Sequence, residues 1–355
     1  MCICRRKDPG EDAKEYLESG GEKEPGGTHR KAVMRLLFVC ALLFAAAAVM
    51  QEKSMEKREA ENVQSEGTEE NLPGLNKEQD SFETAASGQK DPAAEKEIPF
   101  ENIMTAASSD LTITWDGLTE GDQQDVDALE GEIRAALDAF AAEGYTAGFM
   151  LYDLNSGGGI SYHADEMYYS ASAIKGPYVA WLAECYPQAL DSLYGTIQNT
   201  ITWSDNDAYG ELIALYGSTE FNAWAAEIGC EELVISGGWY ASVNARDFAK
   251  LWCHMYDRVV AGESLADIIN IYTDTLSSSI SETLGGQYTV YSKGGWIGEG
   301  KGSYYNVQND AGIVMKGEHP YVLVILSDAY GRLDLLDNLV YVLDQAHTAL
   351  AGTAG

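Results

Sequence analysis

Regular hydrophobic patterning begins only after about residue 110. In residues 123–144 the apolar positions lie three or four apart, which predicts an amphipathic helix. Those positions are Val126, Leu129, Ile133, Leu137 and Phe140. Two β-rich runs then flank a Gly-rich turn at 155–159 and predict a hairpin. A mostly helical stretch extends to about residue 284, and three further strands and a closing helix follow.

This order of elements predicts a mixed α/β domain of the α+β kind over residues 109–355. Strands at both ends with helices between them favour one antiparallel sheet built from the two ends of the domain. Helices would flank the sheet, and a helical subdomain would be inserted in the middle. We find no internal repeat.

The first 108 residues have a different pattern. Residues 32–50 form an apolar stretch that is uncharged from Leu36 to Met50, and several Arg and Lys residues precede this uncharged core, among them Arg30, Lys31 and Arg35. We predict a transmembrane anchor here, with residues 1–31 in the cytoplasm and the remainder exported. Small residues at 45–48 leave open the alternative of a cleaved signal peptide and secretion. Residues 51–108 are polar and charge-mixed, which predicts a disordered linker.

Charge and cysteine content narrow the function classes. The formal net charge is −33, so the chain would repel nucleic acid, and we expect no nucleic-acid partner. Cys185, Cys230 and Cys253 are far apart and could form at most one disulfide, although buried free thiols are the favoured interpretation. No Cys/His ligand cluster is present, so neither a metal nor an organic cofactor is expected.

Ser172 and Lys175 form a Ser-x-x-Lys pair that follows the predicted hairpin and opens a predicted helix. On a helix, residues three apart share a face, so the lysine could accept the serine proton if its pKa were lowered. Two more Ser-x-x-Lys pairs, at 54–57 and 87–90, lie in the predicted linker. The spacing alone is therefore weak, and a capping serine beside a solvated lysine would explain it equally well.

Two further motifs follow in the sequence. Ser204, Asp205 and Asn206 open another apolar helical run, where an N-capping cluster is the simpler explanation. Lys293 is followed by two glycines at a strand end, which is compatible with an ordinary turn. The glycines would also let a substrate backbone approach the strand edge closely.

Taken in this order, the three motifs resemble those of class A β-lactamases and the related penicillin-binding serine hydrolases. The resemblance extends over about residues 147–351, including the proline after Lys175. It implies the β-lactamase/transpeptidase-like fold, with an antiparallel sheet and a helical subdomain. The short interval between Ser172 and Ser204 implies that this subdomain is trimmed and the cleft correspondingly open.

The resemblance also implies a role for each motif residue. Ser172 would attack an amide carbonyl, Lys175 would act as the adjacent base, and Ser204 would pass the proton to the leaving nitrogen. Asn206 would bind the substrate's side-chain amide, and Lys293 would shape the field around its carboxylate. Gly295 would let the substrate approach the strand, and the N–H groups of Ser172 and Trp296 would form the oxyanion hole. Asp205 would fold inward and hold its loop.

The sequence departs from the family pattern in two places. Gly294 stands where the family has Thr or Ser, so a hydroxyl that anchors the substrate carboxylate is missing. The stretch 227–248 also lacks the Glu-x-x-x-Asn whose glutamate activates the deacylating water. Glu231 and Glu232 precede the expected loop, and we expect them to be surface charges.

The resemblance implies a membrane-anchored extracytoplasmic serine hydrolase that forms an acyl-enzyme and releases it slowly. Its substrate would be a β-lactam or a D-Ala-D-Ala-type peptide of peptidoglycan. A catalytically idle penicillin-recognising or cell-wall-binding module is the alternative. A tethered scaffold without a site would require all three motifs to be accidental.

Overall fold

The computed structural model describes residues 100–353. The α-helices are α1 (Gln123–Ala142), α2 (Lys175–Cys185), α3 (Gln188–Ser192), α4 (Tyr194–Thr202), α5 (Asn206–Tyr216), α6 (Thr219–Glu227), α7 (Ala245–Val260), α8 (Ser279–Leu284) and α9 (Leu333–Thr353). The strands are β1 (Thr112–Thr114), β2 (Ala147–Asp153), β3 (Gly159–Tyr162), β4 (Tyr168–Tyr169), β5 (Ser242–Val243), β6 (Thr289–Ser292), β7 (Gly295–Ile297), β8 (Val307–Met315) and β9 (Tyr321–Ser327). Short 3₁₀ turns connect several of them.

The main sheet confirms the predicted antiparallel arrangement. Its strand order is β1-β3-β2-β9-β8-β6, and β7 pairs with β8 beyond the end of β6. Strands β2 and β9 lie at the centre and pair antiparallel from Ala147↔Ser327 to Asp153↔Tyr321. The two ends of the domain therefore meet in the middle of one sheet, while β4 and β5 form a separate two-stranded pair.

The alternating pattern of the central strands creates two cores. On β9, Leu323 and Ile325 face one hydrophobic cluster, and Val322 and Val324 face the other. Helices α1 and α9 belong to the first cluster. Helices α2 and α7 belong to the second, together with most of the inserted helices. Since β9 is buried on both faces, its apolar run is continuous, as expected for a central strand.

The packed region begins before the predicted domain boundary at residue 109. Ile103 and Ala106, which we assigned to the linker, are buried in the second core. The guanidinium of Arg246 donates hydrogen bonds to the carbonyl oxygens of Ile103, Met104 and Ala106 at 2.6–3.0 Å. These bonds join the segment to the start of α7. Composition could not reveal this contact, because the segment's partner lies 140 residues further along the chain.

The predicted membrane anchor, linker and disulfide have different outcomes. Residues 100–353 contain no helix that is long and apolar enough to cross a membrane. The predicted anchor at 32–50, the tail at 1–31 and residues 51–99 of the linker lie outside the described residues. Cys230 and Cys253 are free thiols as favoured, whereas Cys185 is disulfide-bonded, so no disulfide links any two of these three cysteines.

Candidate active site

Ser172 lies on a 3₁₀ turn, Ala171–Ile174, that leads directly into α2. The structure thus places it one turn earlier than the helix that the sequence predicts. Pro177 is the third residue of α2, where its missing N–H costs no helical hydrogen bond. Ala171 has a φ of 43°, a strained backbone geometry for a residue with a side chain, directly before the nucleophile candidate.

Neighbouring segments fix the backbone before Ser172. The N–H of Ser170 donates to the carbonyl of Ala241 at 2.9 Å, and the N–H of Ala241 donates to the Ser170 hydroxyl at 3.2 Å. The carboxamide of Asn309 on β8 donates to the Tyr169 carbonyl at 2.8 Å. The turn is therefore held between the main sheet and the segment that precedes α7. Such support keeps a reactive side chain in one position.

Lys175 is fully buried at the start of α2. Its Nζ donates to the carbonyl oxygens of Ser204 at 2.7 Å and Asp205 at 3.3 Å, and to Oδ1 of Asn206 at 2.7 Å. Burial lowers the pKa of Lys175 to about 8, although Asp205 partly offsets this effect. A lysine with such a pKa is neutral in an appreciable fraction of molecules near neutral pH, as a general base requires.

The three residues of the Ser-Asp-Asn motif make three different sets of contacts. Ser204 has a φ of 55°, which turns its hydroxyl towards Lys293 and its carbonyl towards Lys175. Asp205 does not fold inward as expected. It is exposed, and its carboxylate caps α5 by accepting from the N–H groups of Asp207 and Ala208. The capping explanation is therefore correct for Asp205, while the residues on either side of it contact the buried lysines.

Lys293 is the second buried cation. Its Nζ donates to Oγ of Ser204 at 3.0 Å and lies 5.8 Å from the centre of the Trp296 ring. Burial and, to a smaller extent, the nearby charge of Lys175 lower the pKa of Lys293 to about 7, against the opposing effect of Asp310. One serine thus connects two lysines whose pKa values lie within reach of neutral pH.

Asp310 is a site-supporting residue that the sequence reasoning missed. It lies in β8, fully buried, and its carboxylate accepts hydrogen bonds from the Ser278 hydroxyl at 2.8 Å and the Ile280 N–H at 2.9 Å. Burial raises the pKa of Asp310 to about 6, although these bonds and Lys293 act to lower it. The signal was present, because Gln308, Asn309 and Asp310 interrupt an otherwise apolar strand, and buried carboxylates are uncommon unless they are paired.

The two glycines after Lys293 are needed for different structural reasons. A Cβ on Gly294 would lie 2.7 Å from the Ser277 carbonyl oxygen, so the chain has no room for the family's hydroxyl-bearing residue here. A Cβ on Gly295 would lie 2.2 Å from the Ala173 nitrogen and 2.8 Å from the Ser172 nitrogen. Gly295 therefore lets β7 pack against the turn that carries Ser172. As a result, the backbones of residues 172 and 296 lie close together.

Tyr240 is a second residue that the sequence reasoning missed. Its hydroxyl is in hydrogen-bonding contact with the Ser172 hydroxyl and donates to Oδ1 of Asn206 at 2.9 Å. It lies in residues 227–248, the stretch that lacks the family's glutamate. Glu231 and Glu232 are exposed there, as expected.

The fold therefore brings the residues of the three motifs together at one site. Hydrogen bonds connect Lys175 to Ser204 and Asn206, and Lys293 to Ser204. Ser172 joins this set through Tyr240 and through the close approach of Gly295. In residues 100–353 no group of three or more His, Cys, Asp or Glu side chains is arranged to hold a metal ion.

Comparison with known families agrees with this geometry. Residues 187–339 match the model of the β-lactamase enzyme family. The chain carries a domain of the serine β-lactamase-like superfamily. The match supports a serine hydrolase. The matched stretch includes Ser204, Asn206 and Lys293 and begins after Ser172 and Lys175. A comparison with curated protein sequences finds no significant match.

Solved structures share the β-lactamase-like fold. A β-lactamase from Sphaerobacter thermophilus DSM 20745 superposes with a TM-score of 0.52 at 17% identity, over 62% of this chain and 98% of its own. PBP-A superposes with a TM-score of 0.51 at 21% identity, over 62% of this chain and 96% of its own. The TLA-3 extended-spectrum β-lactamase gives a TM-score of 0.53 at 12% identity, over 63% of this chain and 98% of its own. At these identities the likeness concerns the fold.

Proposed function

We propose that the chain is a membrane-anchored, extracytoplasmic active-site serine hydrolase that cleaves an amide through an acyl-enzyme. The amide belongs to a β-lactam ring or to a D-Ala-D-Ala-type peptide. The observation that carries the proposal is the pair of fully buried lysines, Lys175 and Lys293, that both donate to Ser204 beside Ser172. Burying two cations is costly, and such sites are typical of catalysis.

In the acylation step, Oγ of Ser172 attacks the amide carbonyl carbon and its proton passes to neutral Lys175. The carbon–nitrogen bond then breaks, and a proton reaches the leaving nitrogen through the Ser204 hydroxyl. The N–H groups of Ser172 and Trp296 stabilise the oxyanion that forms. Two observations support this route. The Ser204 hydroxyl accepts a hydrogen bond from Lys293 while its carbonyl accepts one from Lys175, and Gly295 brings β7 against the Ser172 turn.

Substrate binding would use the groups around this centre. Lys293 in its charged form attracts the substrate carboxylate, Asn206 binds its side-chain amide, and Gly295 allows its backbone to pair with β7. Because Gly294 has no side chain and Ser277 closes the space above it, the carboxylate is held by charge without the family's hydroxyl. We expect weaker anchoring than in a β-lactamase with Thr or Ser at this position.

A β-lactam substrate is supported by one structural neighbour. A variant of PBP-A, with a TM-score of 0.51 to this chain, was solved as an acyl-enzyme complex with penicillin G. A peptide substrate is favoured by the short interval between Ser172 and Ser204, which implies an open cleft. A cleft as enclosed as that of a drug-hydrolysing β-lactamase would count against the peptide.

A catalytically idle module that recognises penicillin or the cell wall is the second candidate. The absence of a hydroxyl at Gly294 favours it, as does the hydrogen bonding of Lys175 to three acceptors. Such a module would bind the ligand without forming a covalent bond to Ser172.

Labelling with a fluorescent penicillin separates the two candidates. A covalent band that survives denaturation and disappears in Ser172→Ala is the expected result for the hydrolase. Ser156→Ala, a serine in the turn between β2 and β3, is the matched control and should label like the wild type. A wild-type protein that never forms a denaturation-resistant band would rule out the acyl-enzyme. We expect nitrocefin turnover to be slow in the labelled protein, because deacylation lacks a placed carboxylate.

A further inference from the structure

Tyr240 belongs to a chain of hydrogen bonds beside the nucleophile. Its hydroxyl contacts the Ser172 hydroxyl and donates to Oδ1 of Asn206 at 2.9 Å. The same Oδ1 accepts from Lys175 Nζ at 2.7 Å. A carboxamide oxygen has two lone pairs, so these two donors fill it. No acceptor capacity of Asn206 is left for a water molecule.

The position of Tyr240 is fixed from both sides of its backbone. On the C-terminal side, Ala241 exchanges two hydrogen bonds with Ser170, and β5 then pairs with β4. On the N-terminal side, the Tyr209 hydroxyl donates to the Trp239 carbonyl at 2.9 Å. The Tyr240 ring also lies edge-on to the Tyr169 ring, with centroids 5.8 Å apart. The hydroxyl is therefore presented to Ser172 by a rigid support.

Tyr240 is not a substitute for the missing glutamate. Burial raises the pKa of its phenol, and the hydrogen bond from Ser172 lowers it by less. The group is thus neutral at pH 7 and cannot take a proton from water. Glu231 and Glu232, which precede the loop, are exposed, and the Asp205 carboxylate is engaged in capping α5.

We infer that Tyr240 is a catalytic residue that sets the lifetime of the acyl-enzyme, because its hydroxyl occupies the place beside Ser172 and Asn206 that a hydrolytic water needs. The inference rests on the proposed acyl-enzyme. Hydrolysis requires a water oxygen to bond to the ester carbon. The bond from that carbon to Oγ of Ser172 then breaks, one water proton returns to Oγ, and the freed acid departs. With Tyr240 in place, its hydroxyl and Lys175 already occupy Oδ1 of Asn206, so a water at that position has no lone pair of Asn206 to donate to.

The test is a pulse–chase on the full-length protein. The protein is labelled with fluorescent penicillin, chased with excess unlabelled penicillin, and the band is followed with time. For Tyr240→Ala we expect label loss about tenfold faster or more, since water gains space and a free lone pair on Asn206. For Tyr240→Phe, which keeps the ring contacts, we expect loss about threefold faster or more. The phenylalanine variant decides the matter if the alanine variant does not fold.

Tyr305 provides the matched control. Its ring centroid lies 4.9 Å from that of Tyr169, in the same aromatic cluster, and its side chain is exposed. Tyr305→Phe and Tyr305→Ala should release the label at the wild-type rate. A Tyr240 variant that labels but keeps or lengthens the wild-type lifetime would overturn the role of Tyr240 alone. A wild-type protein without a Ser172-dependent band would overturn the proposed function and the inference with it.

Discussion

The chemistry of this domain depends on two buried lysines whose charges compete. Lys175 and Lys293 both reach Ser204, and the pKa of Lys293 is lowered first by burial and then by the charge of Lys175. Because the two groups interact, their protons leave in two steps that belong to the pair. Acylation uses the singly protonated pair with Lys175 neutral as the base and Lys293 charged to attract a carboxylate. Because the pKa of Lys293 is the lower of the two, this is the minor arrangement of the single proton, and its amount still rises and falls with that of the singly protonated pair.

Acylation should therefore depend on pH in a bell-shaped manner. Burial lowers both pKa values, to about 7 for Lys293 and about 8 for Lys175, so below pH 7 both lysines are charged and no base exists. The acylation rate should rise about tenfold per pH unit up to pH 7 and fall above pH 8, when the second cation is lost. Stopped-flow labelling with fluorescent penicillin from pH 5 to 10 measures this. A constant rate between pH 5 and 7 would exclude lysine as the base.

Strand β7 decides whether the residues of the site meet. The strand pairs with β8, and Gly295 brings it into contact with the 3₁₀ turn that carries Ser172. The sequence of β7 alone, or of the 3₁₀ turn alone, does not determine that the two lie in contact. Their contact exists only because no side chain separates them.

Replacing Gly295 with alanine should separate these two elements. The new Cβ would lie 2.2 Å from the Ala173 nitrogen and 2.7 Å from the Ser170 carbonyl oxygen, so β7 or the turn must move. A displacement of about 1 Å at a reacting centre costs about 100-fold in rate, and we expect a loss of that size in penicillin labelling. The melting temperature reports whether the fold survives.

Gly286→Ala is the control for that change, because nothing lies within 4 Å of its Cβ position. It should label at the wild-type rate. If Gly295→Ala also did so, the close contact between β7 and the Ser172 turn would have no role in acylation.

The two ends of the domain are also joined by a buried hydrogen bond remote from the site. Oδ2 of Asp153, at the end of β2, lies 2.8 Å from Nε2 of His347 on α9, and both side chains are fully buried. Burial acts to raise the pKa of Asp153, but hydrogen bonds from His347 and Ser156 outweigh it and lower the pKa to about 2. The pair ties the first long strand to the last helix, so it contributes to the stability of the whole domain.

The stability of the domain should consequently depend on Asp153 in acid. The folded pKa lies below the usual value of 3.8, so the contribution is fully present above about pH 4 and is lost as the pH falls towards 2. At pH 7, Asp153→Asn should lower the free energy of unfolding by about 2 kcal/mol. Urea denaturation measured from pH 7 to pH 2 should show that the difference in unfolding free energy between Asp153→Asn and wild type becomes smaller below pH 4.

The exposed Asp116 supplies the comparison for this measurement. Asp116→Asn should leave the unfolding free energy within about 0.5 kcal/mol of wild type at every pH. A gap between Asp153→Asn and wild type that stays constant down to pH 2 would show that the Asp153 charge is not what stabilises the domain.

Much of the domain could be predicted from its sequence because the information is local. Helical spacing in α1 and the Gly-rich turn between β2 and β3 determine those elements wherever they lie in space. The three motifs, at Ser172, Ser204 and Lys293, could be recognised because reactive side chains follow one another at fixed short intervals. The unsuitability of Gly294 for binding a carboxylate was also visible in the sequence.

The remaining features arise from contacts between distant segments, which no local pattern records. Tyr240 meets Ser172 only because the segment after it pairs with the segment before the nucleophile. Asp310 lies behind Lys293 because β8 pairs with β6, and Arg246 holds residues 103–106 across 140 positions of the chain. The sequence determined which groups were available for chemistry. Tertiary packing decided which of them are buried together, and burial gives the two lysines their lowered pKa values.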